Sequence, residues 1–375
     1  MTMIRVGIDA SNLRAGGGIT HLVELLRHAE PRQAGVDRVT VWGAHETLDR
    51  LAARDWLTLA HEPALEGSLT SRVRWQRGRL RELAREHCDV LFVPGGGDGG
   101  GFRPYVTMFR NMLPFQWRER ARYHVSPIGI RLWLLHFAQK RAFRRADAVI
   151  FLNEFARQRV GRYVARSAVI PHGVSDDFRL PPRPQKKKGV LRLVYTSIID
   201  LYKHQWTVAE AAIELREEGV PLELALVGPS YGPALRKLER VLRRDKHHIV
   251  RVRGGVAHAD LPEIIQAADV FVFASTCENM PNILLEAMAS GLPIACSSRE
   301  PMPRFLQDGG VYFDPENKDD VKRALRELLD PKRRGQLAKR AYDLALQYSW
   351  ERCANETFTF LAEVARTTGN GQRTT

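Results

Sequence analysis

The sequence lacks the features that mark several classes of protein. It has four cysteines in 375 residues (Cys88, Cys277, Cys296 and Cys353), and none has C-x-x-C spacing. Neither a disulfide framework nor a cysteine-based zinc site is therefore expected. No apolar run approaches the ~18–20 residues that span a bilayer. The first residues read as a strand and have no signal-peptide layout, so we expect a cytoplasmic protein.

Acidic residues are also in short supply. The chain has 57 Lys and Arg against 43 Asp and Glu, a net charge of +14. Residues 72–166 carry 20 basic and 7 acidic side chains, a net +13, and all but one of those cations are Arg. This window is either a set of solvated helices or a surface for anionic lipid or a phosphorylated substrate. No nucleic-acid-binding motif accompanies the charge, so no nucleic-acid partner is expected.

What is present fits a globular protein of two domains, with 44% hydrophobic residues and a mean hydropathy of −0.30. Short apolar runs alternate with helix-period segments, the pattern of strands buried in parallel sheets. The predicted strands are residues 4–9, 38–43, 89–94, 105–109, 147–153 and 168–171, then 191–197, 222–228, 249–254, 269–275, 293–296 and 311–313. The fold class is therefore α/β, with two Rossmann-like, doubly wound domains that we expect to face each other across a cleft.

Composition also predicts the domain boundaries. A polar, proline-broken stretch at 175–190 reads as a linker between two domains, 1–174 and 191–348. A last helix is predicted at 349–366, followed by a disordered tail at 367–375.

Two segments have the pattern of phosphate sites. Gly17 and Gly18 follow the first strand and open a helix, where glycine lets the backbone approach an anion; a tight turn without a ligand is the alternative. In the second segment, Asn282 reads as the N-cap of a helix after a buried strand, so the N–H groups of Ile283 and Leu284 would face a diphosphate.

Two glutamates flank that helix start. Glu286 lies about one turn into the helix, where it could accept hydrogen bonds from a sugar diol, and Glu278 lies in the loop before it. The alternative is that Glu286 only interacts with the helix dipole and that Glu278 is a solvated loop acid.

These residues resemble a known family. Glu278 and Glu286 have the E-x7-E spacing of retaining family-4 glycosyltransferases, which have the GT-B fold. The similarity extends to ADVFVFAS before the motif and EAMASGLPI after it, to IPHGV at 170–174, to Lys203 and to Trp350 in YSWERC. The C-terminal half matches densely, the N-terminal half mainly at its glycines.

The resemblance implies roles for the matching residues. Glu286 would hold the nucleotide ribose, Glu278 would lie beside the donor sugar, and Lys203 would neutralise the diphosphate. It also implies that the terminal helix crosses back to the first domain, which would be the acceptor domain, while the second binds the donor.

The sequence departs from the family pattern in two places. An Arg that many members carry shortly before the Lys is missing, and Ser197 is its substitute among the donor-binding residues. Arg110-Asn111 stands where several relatives have His-Asp, which leaves Asn111 as the catalytic candidate there.

No Asp-x-Asp motif occurs, so we expect no metal ligands and no cofactor. The amphipathic stretch 128–143 is interpreted either as a core helix or as an interfacial helix on anionic lipid. The second interpretation would attach the protein peripherally to the inner membrane face.

The sequence therefore predicts a retaining, metal-independent glycosyltransferase. It would move a sugar from a nucleotide-sugar donor to a glycan or lipid-linked acceptor, in bacterial surface polysaccharide or glycolipid synthesis. Two alternatives remain open: a non-enzymatic, membrane-associated module that binds nucleotide sugars, and another GT-B activity such as a nucleotide-sugar epimerase.

Overall fold

The computed structural model describes residues 3–14, 16–124, 126–185 and 189–372. The strands are β1 (Ile4–Asp9), β2 (Val36–Gly43), β3 (Leu57–His61), β4 (Val90–Val93), β5 (Tyr105–Phe109), β6 (Ala148–Phe151), β7 (Ser167–Val169), β8 (Leu191–Thr196), β9 (Leu222–Val227), β10 (Val250–Arg253), β11 (Val270–Phe273), β12 (Ile294–Ser297) and β13 (Gly310–Phe313). The helices are α1 (Gly17–Arg27), α2 (His45–Leu48), α3 (Leu69–Arg77), α4 (Arg79–His87), α5 (Trp117–Ala121), α6 (Pro127–Arg145), α7 (Glu154–Val160), α8 (Gln205–Glu217), α9 (Gly232–Leu242), α10 (Leu261–Gln266), α11 (Asn282–Ala289), α12 (Met302–Leu306), α13 (Lys318–Glu327), α14 (Pro331–Ala345) and α15 (Trp350–Gln372).

The chain divides into two compact units. Unit 1 comprises Met1–Phe115, Ile130–Gly173 and Tyr348–Thr375, and unit 2 comprises Gln116–Gly129 and Val174–Gln347. Unit 1 has a seven-stranded sheet in the order β3-β2-β1-β4-β5-β6-β7, and unit 2 a six-stranded sheet in the order β10-β9-β8-β11-β12-β13. All the paired strands are parallel. The predicted α/β class with two Rossmann-like sheets is confirmed.

Burial explains why most strands could be read from the sequence. Every residue of β4, β6 and β11 is buried, so these strands appear as continuous apolar runs. Strand β3 was not predicted. It lies at the sheet edge, and none of its residues is fully buried, so its sequence LTLAH carries no such run.

The domain boundary at 174 needs a correction, because residues 116–129 were assigned to the first domain but group with unit 2. The hydroxyl of Thr276 donates to Glu119 at 2.6 Å, and the hydroxyl of Tyr123 donates to Asp200 at 2.6 Å. Sequence proximity could not reveal these contacts, since the partners are 157 and 77 residues apart.

The predicted linker at 175–190 also differs from expectation in its described part, which counts with unit 2. Phe178 is 1% exposed, and the N–H of Leu180 donates to the carbonyl of Ala289 at 2.9 Å. Gly291 has φ +61°, and a Cβ there would come within 2.7 Å of Pro182 N, so the stretch packs closely against the end of α11. Residues 186–188 lie outside the described residues.

The C-terminal helix counts with unit 1 and is longer than predicted. α15 runs to Gln372, so residues 367–372 are helical rather than a disordered tail, and 373–375 lie outside the described residues. The ring of Trp350 stacks on His172 at 5.6 Å and meets the edge of His21 at 5.3 Å. A Cβ on Gly173 would lie 2.2 Å from Trp350 N, so only glycine permits this close approach.

Candidate functional site

The candidate site lies at the carboxyl ends of β8 and β11 in unit 2. The chain runs outward from β8 to β9 and β10 on one side and starts again at β11 on the other, which makes β8/β11 the topological switch point of the sheet. Open α/β sheets bind ligands at this place, because the loops there separate and leave a crevice. The loop after β8 carries Ser197 and Lys203, and the loop after β11 carries Glu278.

The start of α11 corrects one sequence prediction. The helix begins at Asn282 itself, Pro281 holds the cap position, and no side chain caps the helix. The N–H groups of Leu284 and Leu285 both donate to the carbonyl of Pro281, at 3.1 and 3.2 Å. Asn282 is therefore not the N-cap, and Leu284 is not an open donor. Within the described residues, the N–H groups without an acceptor here are those of Asn282 and Ile283, both half-buried.

Glu286 has the environment of a ligand-binding acid. It is 6% exposed, and its Oε1 lies 3.0 Å from His258 Nε2. Its Oε2 is buried and has no hydrogen-bond partner. A buried acceptor without a partner costs about 1–3 kcal/mol, so such an oxygen is expected where a ligand supplies the donor.

Lys203 and Glu278 form an ion pair between the loops that follow β8 and β11. Lys203 is 5% exposed, its Nζ donates to Glu278 Oε1, and it lies 5.1 Å from the ring centroids of both Tyr202 and Phe273. Burial, and then the charge of Glu278, raises the pKa of Tyr202 well above its usual value, so this phenol is neutral. The Lys203 ammonium group is thus paired with one carboxylate and packed near two aromatic rings.

Buried hydroxyl and amide oxygens without hydrogen-bond partners lie near the carboxyl end of β8. Among the described residues of unit 2, the buried side-chain oxygens without a partner, besides Glu286 Oε2, are Thr196 Oγ1, Ser197 Oγ and Gln205 Oε1. They lie at the end of β8 and the start of α8. The unsatisfied acceptors of this unit therefore concentrate at the switch point.

A buried hydrogen-bond network connects the loops that follow β8 and β11. His204 has φ +50° at the start of α8, and burial lowers its pKa to about 4, so its ring is neutral near pH 7. Thr276 Oγ1 lies 3.5 Å from His204 Nε2 while it donates to Glu119. Glu119 and His258 were missed as site residues. Neither belongs to a local motif, because distant segments bring them here.

Unit 1 contains the remaining predicted residues. Arg110 donates to the carbonyl of Gly17, and a Cβ on Gly18 would lie 3.3 Å from Arg110 Nη1. Burial lowers the pKa of Arg110 to about 10. Asn111 is exposed, and its Oδ1 accepts the N–H of Leu113 at 3.1 Å. Arg110 is thus the side chain beside the two glycines. The catalytic role of Asn111 stays a prediction.

Comparisons with known proteins agree with this geometry. Residues 191–331 match the family model described as "Glycosyl transferases group 1". The chain is 35% identical over 109 residues to O-antigen chain mannosyltransferase B of Escherichia coli, and the aligned region covers 29% of each protein. It is 26% identical over 209 residues to the putative colanic acid biosynthesis glycosyltransferase WcaL of Escherichia coli K12, covering 52% of this chain and 51% of the relative. The chain thus spans about half the length, or less, of these curated relatives.

Solved structures match over nearly the whole chain. Sucrose-phosphate synthase from Thermosynechococcus elongatus aligns with a TM-score of 0.76 and 16% identity, covering 97% of this chain and 100% of that one. Anabaena HepE in complex with UDP-glucose aligns with a TM-score of 0.68 and 18% identity, covering 98% and 100%. At these identities the likeness shows the fold, which is GT-B.

Proposed function

We propose that this GT-B protein, whose second unit matches the group 1 glycosyl transferases, is a retaining glycosyltransferase that binds a nucleotide-sugar donor in unit 2. The observation that carries the proposal is Glu286 Oε2, a buried carboxylate oxygen without a partner at the switch point. A ribose or sugar diol supplies the donors that this oxygen lacks. HepE, which has the same fold, is solved with UDP-glucose, which supports a donor of this class.

Lys203 and the first N–H groups of α11 are the proposed partners of the diphosphate. A retaining transfer proceeds through departure of the nucleoside diphosphate and an oxocarbenium-like transition state. Negative charge then grows on the leaving oxygens, where fixed donors lower the barrier. Lys203 Nζ is held in place by Glu278, and the N–H groups of Asn282 and Ile283 lie at the positive end of the helix dipole. Because these groups serve the diphosphate, the proposed transfer needs no metal or cofactor.

The acceptor is proposed as a glycan or a lipid-linked glycan in surface polysaccharide or glycolipid synthesis. The names of the two curated relatives, which refer to O-antigen and to colanic acid, support this choice.

Donor binding by Glu286→Gln tests the proposal. Calorimetric titration with UDP-, GDP- and ADP-sugars should give binding of one nucleotide class to the wild-type protein and a loss of about 10-fold or more in the variant, since a hydrogen bond to a charged group contributes about 1.5–3 kcal/mol. Glu239→Gln, an exposed acid on α9, is the matched control and should bind normally.

The same protein then tests the chemistry. With donor and acceptor extract, transfer should continue in EDTA and should yield a product with the anomeric configuration of the donor. A donor isomer formed without an acceptor would indicate an epimerase. Equal donor affinity of Glu286→Gln and wild type would contradict the proposed site.

We also propose peripheral membrane attachment through α6. Ile130, Trp133, Leu134 and Phe137 are each 51–57% exposed and follow the i, i+3, i+4, i+7 spacing of one helix face. The opposite face packs inward through residues such as Phe143, which is 0% exposed. The core interpretation of this stretch thus fits the inward face, and the interfacial interpretation is proposed for the exposed face. Among the described residues, no helix is both long and apolar enough to span a membrane.

Basic side chains continue this exposed apolar stripe. A surface depression of about 420 Å³ next to it is lined by Phe137, Lys140, Arg141, Arg144 and Arg145. Such cations gain about 1 kcal/mol each near an anionic leaflet, so a few of them suffice for reversible binding. An apolar stripe beside a cationic depression fits a bilayer that contains anionic lipid.

Vesicle co-sedimentation tests the attachment. The wild type should bind vesicles with phosphatidylglycerol and not pure phosphatidylcholine, and binding should fade as salt rises, because screening shortens the reach of the charges. Trp133→Gln/Phe137→Gln should bind several-fold more weakly. Leu69→Gln, at another exposed apolar residue of unit 1, should bind normally. Equal, salt-independent binding to both vesicles, or none to either, would remove the membrane from the proposal.

A further inference from the structure

A second cluster of chemically active side chains lies at the outer edge of the unit 1 sheet. Strands β2 and β3 end side by side, with Gly43 opposite His61. His45 begins α2 just beyond β2, and Glu66 follows the 3-10 turn Pro63–Leu65 just beyond β3. Three short elements therefore bring His45, His61 and Glu66 together at the carboxyl ends of two neighbouring strands.

The three side chains are in direct contact. His61 Nε2 lies 3.1 Å from Glu66 Oε1, and the same oxygen accepts the backbone N–H of His45 at 2.7 Å. The two imidazole rings stack with centroids 3.6 Å apart and an interplanar angle of 23°. One ligand atom from each of the three residues lies within 4.8 Å of the others.

This set has the composition of a zinc site with an open position. Zinc binds imidazole nitrogen and carboxylate oxygen at about 2.0–2.2 Å, so tetrahedral neighbours are separated by about 3.3 Å, close to the distance between His61 and Glu66. To reach that spacing, the exposed His45 and Glu66 side chains must rotate and the two imidazole rings must unstack, because stacked rings direct their nitrogen lone pairs in parallel planes. Three protein ligands leave one position for water.

Contacts around Glu66 hold its carboxylate in position. Glu62, the neighbouring acid, accepts the indole N–H of Trp75 at 2.8 Å and is thereby turned to another partner. Arg14 donates to the carbonyl of Leu65, which fixes the turn before Glu66. The N–H of His45 orients the Glu66 carboxylate, the kind of outer contact that tunes metal ligands.

We infer that unit 1 binds one divalent ion of the zinc class through His45, His61 and Glu66. This site is independent of the proposed transfer chemistry. The ion replaces the hydrogen bond between His61 and Glu66 with two coordinate bonds, and it ties the end of β3 to the start of α2. Because the ion binds only the folded arrangement, it should stabilise the protein by mass action.

The test uses the full chain after removal of metals with a chelator. Zinc titration by calorimetry should give one site per chain, and cobalt should give the intense visible absorption of a tetrahedral ion with nitrogen ligands. His61→Ala should lose both signals and the zinc-dependent rise in melting temperature. His87→Ala, which removes another exposed imidazole that contacts a glutamate (Glu86, at 3.7 Å), is the matched control and should retain all three.

Glu66→Gln supplies a second variant in case His61→Ala does not fold. Its amide oxygen still accepts the N–H of His45, so the fold should persist while zinc affinity falls at least 10-fold. The inference is overturned if wild-type protein binds no zinc at micromolar concentrations, or if Glu66→Gln and wild type bind it equally. Neither result affects the proposed function, because sugar transfer is measured separately in the presence of EDTA.

Discussion

The two units share a sheet topology, yet their buried atoms without partners differ: those of unit 1 include arginine nitrogens, whereas those of the described residues of unit 2 are all oxygens. Around the connection from β1 to α1 in unit 1, buried nitrogens lack acceptors: Arg14 Nε, Arg72 Nε and Arg110 Nη1. At the corresponding edge of unit 2, the unpartnered groups are oxygens, among them Ser197 Oγ and Glu286 Oε2. Both observations concern the described residues. Topology thus sets where a ligand binds, and the side chains set which kind of ligand fits.

The difference has a direct chemical meaning. Burial and the nearby charge of Arg14 lower the pKa of Arg72, so two cations share one region of unit 1. Unpartnered cationic donors favour an anionic group, whereas unpartnered oxygens favour the hydroxyls of a ribose or sugar. We therefore expect an anionic group to stabilise unit 1, and we expect the hydroxyls of the nucleotide sugar to add to the binding of its diphosphate in unit 2.

Removal of the Lys203 charge should have the largest effect on the rate of transfer. Lys203→Met should lower kcat about 10²–10³-fold, because it removes a fixed positive charge from the leaving diphosphate. Lys332→Met, at an exposed lysine of the same unit, should have wild-type kinetics. Steady-state transfer assays at saturating donor decide this. A loss of less than threefold in Lys203→Met would mean that the diphosphate is held elsewhere.

Alanine at either of two glycines, one in each unit, should destabilise the protein. A Cβ on Gly228, which has φ +147°, would lie 2.1 Å from Ser197 O, and one on Gly173 would lie 2.2 Å from Trp350 N. Each Gly→Ala change should lower the free energy of unfolding by about 1–3 kcal/mol through overpacking.

Their effects on donor binding should differ. Gly228→Ala should also weaken donor binding, because it displaces the loop that carries Ser197, and Gly173→Ala should not. Denaturant unfolding and donor titration measure both effects. If both variants bound donor equally well, the loop after β8 would not be part of the site.

A matched pair of threonine substitutions should give the smallest effects, and only one of the two should destabilise the protein. Thr107 Oγ1 in β5 donates to the carbonyl of Val93 at 3.0 Å, so Thr107→Val should destabilise by about 1 kcal/mol. Thr196 Oγ1 is buried without a partner, so Thr196→Val should leave ligand-free stability unchanged or raise it by up to about 1 kcal/mol. Thermal unfolding without ligand compares them. Equal destabilisation by both substitutions would show that Thr196 is already satisfied in the free protein.

Much of the fold could be predicted because burial leaves a signal in the local sequence. Strands covered on both faces appear as apolar runs, and Pro281 and Gly291 mark the two ends of α11. The acids of the candidate site were found by their spacing on one helix and its preceding loop. These features depend on residues close together in the chain.

The features that could not be predicted depend on contacts between distant residues. His258 reaches Glu286 across 28 positions and has no local motif. The assignment of Asn282 as a cap was wrong, because the N–H groups of Leu284 and Leu285 donate to the carbonyl of Pro281 rather than to the Asn282 side chain. Edge strand β3 has too little buried surface to produce an apolar run.

The interleaved course of the chain has a consequence for biosynthesis. Unit 2 is fully synthesised at Gln347, but unit 1 still needs Tyr348–Thr375, whose α15 buries Cys353, Phe358 and Leu361. At about 5–20 residues per second, the ribosome takes roughly 1–6 s to add residues 348–375. During this interval the N-terminal sheet exposes the apolar surface that α15 later covers, although its own strands were made first. The later-made unit is thus the first that can be complete, the reverse of the usual N-to-C order of domain folding.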